Sequence, residues 1–263
     1  MKPREISLNA PTNGQAINGQ KHNGKGEGLN GQASTNQASY LRNGHSSTDY
    51  EVLDDEPLST RLDTPMHPEA HHLPESEKIE QIADKFADIM HILGLDLTDD
   101  SLKGTPQRVA KMYVQEVFQG LNPENKPAAK LFDNKYRYGQ MLVEKDITLH
   151  SYCEHHFVPI TGVCHVGYVS SGKVIGLSKI NRIVRFYAKR PQVQERLTEQ
   201  IAAELKEVLQ TEHVAVVIDA DHMCVSTRGV EDCASSTLTS HYSGQFDSPQ
   251  GRQEFWNYLK SER

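Results

Sequence analysis

Large apolar side chains are sparse from residue 1 to about residue 70 and begin to recur with a helical period near Pro74. Ile79, Ile82, Phe86, Ile89 and Leu93 follow one another at steps of three and four, which puts them on one face of an amphipathic helix that Gly94 is placed to stop. A second helix is expected from Thr105-Pro106, because threonine caps well and proline suits the first helical position. Val109, Met112, Tyr113 and Val117 then share a face, and Gly120 ends it. Ile147-Thr148-Leu149 and the run from Val158 to Val169 read as extended, the latter broken at Gly162 and closed by Ser170-Ser171-Gly172. Ser178 is expected to cap a third helix carrying Ile180, Ile183, Val184 and Tyr187, and Pro191 to open a fourth carrying Leu197, Ile201, Leu205 and Leu209. Val214, Val216 and Ile218 alternate as a half-buried strand, with Met223 to Val230 as its expected hairpin partner. A short helix around Phe255, Trp256 and Leu259 follows. Antiparallel hairpins with helices collected on one face make this an α+β fold.

Composition sharpens the boundary at the N-terminal side. Residues 1–70 are rich in Asn, Gly, Gln and Ser, with Asn-Gly-Gln at 13–15, 18–20 and 30–32. Such a segment buries too little surface to offset an ordering cost of roughly 1–2 kcal/mol per residue, so a disordered tail is expected there and a folded domain over 71–263. The formal net charge of −7 argues against broad nucleic-acid binding and confines any phosphate partner to a local basic cluster. No apolar run reaches the roughly 18 residues of a membrane helix and no signal core opens the chain, so a soluble, cytoplasmic protein is expected. The 4 cysteines are too sparse for a disulfide framework, which leaves metal binding or plain burial.

Cys153-Glu154-His155-His156 offers a thiolate and an imidazole that a tight turn can fold onto one cation. Zinc accepts that mixture of sulfur and nitrogen. Alone the pair is as compatible with an ordinary turn; Cys224, in His222-Met223-Cys224 at the start of an expected strand, changes the case. Three protein ligands, Cys153, His156 and Cys224, leave the fourth tetrahedral position to water, as in catalytic rather than structural zinc sites. Cys164 and Cys233 are read as buried thiols, with a closed Cys₃His site as the alternative. Along a strand, residues 222 and 224 face the same side, which puts His222 within acid/base reach of anything bound at the metal. His155 fits a supporting hydrogen bond as well as it fits catalysis. Arg108 and Lys111, Lys179 and Arg182, and Arg228 flank these motifs, and with Ser178 they form a candidate polyphosphate pocket at a helix N-terminus. Glu195 is the candidate guanine anchor, since a carboxylate accepts from both N1–H and the exocyclic amine.

Ser151-Tyr152-Cys153-Glu154-His155-His156-Phe157, Ile175-Gly176-Leu177-Ser178-Lys179-Ile180-Asn181-Arg182, Arg190 to Leu197 and His222-Met223-Cys224 together resemble the GTP cyclohydrolase I family. The resemblance spans about residues 75–260, including Thr105-Pro106-Gln107-Arg108. It implies a tunnelling fold, with a helical part over 75–122 and a sheet part over 140–263, whose subunits join strands into a barrel and assemble as a decamer of two pentamers. It implies Zn2+ on Cys153, His156 and Cys224, acid/base work by His155 and His222, guanine recognition by Gln194 and Glu195, and triphosphate binding by Ser178 and the basic set. The implied reaction turns GTP into dihydroneopterin triphosphate and formate, at sites between subunits. Neither the downstream pterin route nor a feedback regulatory protein follows from these motifs. The Asn/Gly/Gln-rich tail and the adjacent Cys164-His165 depart from the family pattern. Two other classes are weighed beside this one: a non-catalytic zinc-stabilised nucleotide-binding module, which needs a fourth protein ligand, and a pterin or deazapurine enzyme in which cysteine is the nucleophile.

Overall fold

A computed structural model of the chain describes residues 62–261, so most of the expected tail, residues 1–61, lies outside the described residues. The first helix, α1 (Glu75–Ile92), starts after Pro74 and stops before Gly94, whose φ of 83° ends the helical path. Its buried line is Ile79, Ala83 and Met90, rotated from the expected face, while Ile89 and Leu93 are exposed. Helix α2 (Thr105–Lys111) is capped by Gly104 rather than Thr105 and runs on as a π-helical turn over Met112–Val117. The two helices meet through Ile79, Ala83 and Ala110, a small cluster separate from the main core.

Strands β1 (Leu131–Asp133), β2 (Leu142–Cys153), β3 (Pro159–Tyr168) and β4 (Lys173–Ile175) follow, then α3 (Leu177–Ala188), β5 (Pro191–Gln192) and α4 (Gln194–Leu209). The chain continues with β6 (Val214–His222), a single turn α5 (Met223–Ser226), β7 (Thr237–Tyr242) and α6 (Pro249–Lys260). The main sheet has the order β5-β2-β3-β6-β7; its long neighbours are antiparallel and the short β5 runs parallel to β2, while β1 pairs with β4. The fold is therefore α+β with a mixed sheet.

Alternation along β6 explains the layers. Val214, Val216, Ile218 and Ala220 face α3 and α4, where Ile180, Ile183, Val184, Leu197, Ile201, Leu205 and Leu209 are buried. Ala215 and Val217 face the other way and pack with Phe246 and Phe255. Helices thus cover both faces, because α6 docks Phe255 on the side opposite α3 and α4; the expectation of one covered face is corrected. At about 25 cal/mol per Å² of apolar surface, both faces contribute to holding the sheet.

Four local expectations also change. Strand β3 runs unbroken through Gly162, which is needed because a Cβ there would sit 2.1 Å from Asp219 O on β6. Met223 to Val230 is not a hairpin partner: β6 is already bonded by β3 on one side and β7 on the other, so the chain turns into α5. Gly176, not Ser178, caps α3, and Pro191 lies in β5 rather than opening α4. Residues 62–64 lie against the domain, with Leu62 O and Thr64 Oγ1 accepting from Gln200 Nε2 at 2.7 and 3.3 Å.

Candidate metal centre

The turn between β2 and β3 builds the centre. The Cys153 N–H donates to Val158 O at 2.9 Å and the Phe157 N–H to Cys153 O at 2.8 Å, closing the turn around Glu154, His155 and His156. Phe157 takes a φ of 54°, a region rarely occupied by a bulky residue, so the turn carries local strain. From the other side, β5 pairs Gln192 with Cys153, and the Glu154 N–H donates to Gln192 O at 3.0 Å. Cys153 Sγ lies 3.8 Å from His155 Nδ1 and 3.9 Å from His156 Nδ1.

The β3–β6 register places His222 opposite Ile160, next to that turn, and α5 then folds Cys224 back toward Cys153. Ligand atoms of Cys153, His156 and Cys224 all lie within 4.8 Å of one another. Cys153 is buried, Cys224 half-buried and His156 exposed, so the group opens to one side. Burial first, and then the neighbouring Cys153, push the Cys224 thiol up to about 11. Two thiols so close resist ionising together; a divalent cation between them reverses that and favours both thiolates. The donor set therefore suits a metal ion. Among the described residues the group has three members, which leaves a closed Cys₃His site without its fourth ligand.

Cys164 is fully buried in the main core, where burial pushes its thiol far up, as expected of a packing cysteine. Cys233, expected to be buried, is instead exposed, because it sits in the loop before β7, with Sγ 3.5 Å from Ser226 O. His165 turns away from the centre: its Nδ1 accepts from the Asp146 N–H at 3.1 Å, beside the irregular pairing between Glu144 and Ile147.

His222 is held by a residue expected to touch guanine. Gln194 is 1% exposed, and its Nε2 lies 3.2 Å from Ile218 O, 2.8 Å from Thr237 O and 3.1 Å from Thr239 Oγ1. Two of these are carbonyl oxygens, so the amide orientation is settled: nitrogen faces them and Oε1 faces His222 Nε2 at 2.7 Å. His222 Nε2 must then donate, and in the neutral ring Nδ1 is the basic atom. Burial lowers the His222 pKa, while Glu195 and Asp221 act in the opposite sense. Glu195 is exposed in the first turn of α4, near enough to His222 to act on its charge.

The basic set is only partly gathered. Arg228 Nη1 contacts His156 Nε2 at 2.7 Å. Arg108 turns to Ser101 O and Thr105 Oγ1, at 3.0 and 2.7 Å. Lys111, Ser178 and Arg182 are exposed and Lys179 half-buried on their own helices, and among the described residues none of these bonds to the Cys–His–Cys group. Sequence reasoning missed the support that Gln194 gives His222 and that Arg196 gives Glu154. Adjacent Gln194-Glu195-Arg196 offered a faint sign, since polar residues that continue into an apolar stripe are buried only with partners.

An α+β domain with an open Cys–His–Cys group and an oriented histidine beside it is the framework of a metal-site enzyme. The chain belongs to the GTP cyclohydrolase I family, which residues 82–260 match. It is 56% identical over 210 residues to GTP cyclohydrolase 1 of Flavobacterium johnsoniae, covering 80% of this chain and 94% of that protein. With GTP cyclohydrolase 1 of Vibrio cholerae it shares 52% identity over 200 residues, 76% of this chain and 91% of the relative. The Escherichia coli protein of the same name is 51% identical over 195 residues, 74% of this chain and 88% of the relative.

Proposed function

We propose that the chain is a zinc-dependent GTP cyclohydrolase, converting GTP and water to 7,8-dihydroneopterin triphosphate and formate at the head of a pterin route. The observation that carries this reading is the Cys153–His156–Cys224 group with His222 beside it, in a chain of this family. When bound there, zinc lowers the pKa of water toward about 7 and so supplies a nucleophile for C8 of guanine at neutral pH.

The protein side chains do the rest. His222, its Nε2–H held by Gln194, presents Nδ1 as its acid/base atom: Nδ1 first takes up a proton, and the imidazolium so formed gives it to the imidazole-ring nitrogen of guanine, which makes C8 electrophilic. His155 serves as a second acid/base group on the same turn as Cys153. Glu195 accepts from N1–H and the exocyclic amine of guanine, while Gln194, whose amide is spent, acts by positioning His222 rather than by touching the base. Ser178, Lys179, Arg182, Arg108, Lys111 and Arg228 hold the triphosphate, whose binding energy fixes the base without taking part in the chemistry.

The separation of most basic residues from the centre within one chain favours a site completed between subunits. Strand β5 covers β2 only at Tyr152 and Cys153, and β7 pairs only with β6 among the described residues, so both sheet edges carry unpaired backbone groups. Pairing β7 of one copy with β2 of the next closes a ring, and two such pentameric rings make the decamer the family resemblance implies. Ile92 and Leu93, 82% and 71% exposed at the end of α1, are apolar surface that such an assembly would cover. Among the described residues no helix is long and apolar enough to cross a membrane, in keeping with a cytoplasmic enzyme.

The test is metal content measured together with formate release from GTP. Zinc-loaded protein that releases no formate, or metal-free protein that turns over fully, would end this reading.

A further inference from the structure

A run of buried polar side chains leads from the strand beside Cys153 to the far side of α4. Gln192 is its hub: Nε2 donates to Tyr187 O at 2.9 Å and Gln200 Oε1 at 2.8 Å, and Oε1 accepts from Arg196 Nε at 3.2 Å. Arg196 is 4% exposed, and its Nη2 donates to the Glu154 carboxylate and to Pro191 O at 3.3 Å. Its Nη1 is buried with no hydrogen-bond partner. The other Glu154 oxygen lies 3.9 Å from His155 Nε2, and His155 Nδ1 lies 3.8 Å from Cys153 Sγ.

A buried ion pair is a poor source of stability, because desolvation offsets much of the attraction, and an orphan N–H adds to the cost. Such an arrangement makes sense where it fixes a geometry. Gln192 and Pro191 hold the guanidinium fork so that it cannot turn, and the fork in turn holds Glu154 in the middle of the ligand-bearing turn. A lysine, a point charge on a flexible stem, could not do the same.

We infer that Arg196 is a positioning residue for the metal centre, acting through Glu154 to fix His155 and the turn that carries His156 relative to Cys153. Only the kinetic part of this inference rests on the cyclohydrolase reading above. Two independent side chains, Arg196 on α4 and Glu154 on the turn, then act as one unit, and removing either removes the whole effect.

The experiment compares Glu154→Gln, Arg196→Lys, Arg196→Met and the double variant E154Q/R196M in the full chain, loaded with Zn2+ for kinetics and Co2+ for spectroscopy. Each single variant is expected to keep its metal and its KM for GTP and to lose about 10- to 100-fold in kcat, the usual effect of losing a partner behind metal ligands. The double variant is expected to lose no more than the worse single one, since the pair acts as a unit. The visible bands of the Co2+ protein, which read ligand geometry without turnover, are expected to shift alike in all three non-lysine variants. Losses that multiply in the double variant, or an Arg196→Lys protein equal to the parent, would overturn the inference. So would an unchanged kcat and Co2+ spectrum in a Glu154→Gln protein whose unfolding transition shows it folded, an isosteric change at the more exposed member of the pair. A parent that releases no formate would sink the cyclohydrolase reading alone, and the Co2+ spectra would still decide the role of Arg196.

Discussion

Gln194 Oε1 lies 2.7 Å from His222 Nε2, and the amide cannot be turned round, because its nitrogen already faces the carbonyls of Ile218 and Thr237. The amide thus ties α4 to β7 through Thr237 and to β6 through Ile218, and β6 is the strand that carries His222. Replacing Gln194 by Ala strips buried carbonyls of a donor and frees the His222 ring to rotate. We expect a stability loss of about 1–3 kcal/mol and a fall in kcat larger than any rise in KM for GTP. Thermal unfolding and steady-state kinetics check both; a variant that loses affinity for GTP while keeping kcat would make Gln194 a substrate contact instead.

Cys153→Ala, His156→Ala and Cys224→Ala are each expected to lose metal and turnover, since a three-ligand site cannot spare one. Metal analysis after dialysis is the measurement. Full metal and full activity in any one variant would remove that residue from the ligand set.

Truncation separates two parts of the N-terminal segment. Removing residues 1–61 is expected to leave metal binding and turnover unchanged, because that Asn-, Gly-, Gln- and Ser-rich stretch carries too few large apolar side chains to build a core. Removing 1–70 takes away Leu62 O and Thr64 Oγ1, the partners of buried Gln200 and of Arg190. The longer deletion is expected to lower stability by about 1–3 kcal/mol. Equal unfolding temperatures for the two truncations would show that the 62–64 contacts contribute nothing.

The periodic elements were legible in the sequence because their apolar positions repeat locally: Leu197, Ile201, Leu205 and Leu209 are spaced for one helix face, and all four are buried. The Cys153–His156–Cys224 group, which could hold a metal ion, was legible because sulfur and nitrogen ligands come from few residue types in short motifs. What could not be read depended on long-range pairing. Met223 to Val230 looks as extended as β6 itself, and only the occupation of both β6 edges excludes it from the sheet. The side of α4 that Gln194 faces is likewise fixed by where β6 and β7 place their carbonyls, so local pattern gave only the faint sign that a buried amide needs partners, and not which partners they are.

His165 makes a pH prediction away from the metal. Burial lowers its pKa below the ordinary 6.5, and its Nδ1 accepts from the Asp146 N–H, so the folded state prefers the neutral ring. Asp146 and Asp219 raise its pKa and Lys145 lowers it, without reversing the net direction. A lowered histidine pKa means that the unfolded chain binds the extra proton, so stability is complete above about 6.5 and is lost as pH falls through that value toward the folded pKa. His165→Gln keeps an acceptor without a titrating ring. Its unfolding temperature is expected to fall less steeply than the parent's on acidification over that window; parallel curves would show that His165 contributes no linkage.

Glu195 offers the sharpest test of substrate recognition, because it stands exposed in the first turn of α4 beside His222. If its carboxylate pairs with N1–H and the amine of guanine, Glu195→Gln preserves shape but turns one acceptor into a donor facing another donor. Enclosed by bound substrate, that mismatch costs on the order of 1–3 kcal/mol or more, since the lost partner was charged. Exposure in the free chain matters here: with no buried partner to lose, the substitution should leave stability and metal content at the parent's level. Turnover of GTP is expected to fall sharply all the same. ITP lacks the exocyclic amine, so it should be a poor substrate for the parent and lose less than GTP on mutation. His222→Ala gives the complementary result, retaining metal and GTP binding while failing to open the ring. Should Glu195→Gln turn over GTP as well as the parent does, Glu195 is a surface carboxylate and the guanine anchor lies elsewhere.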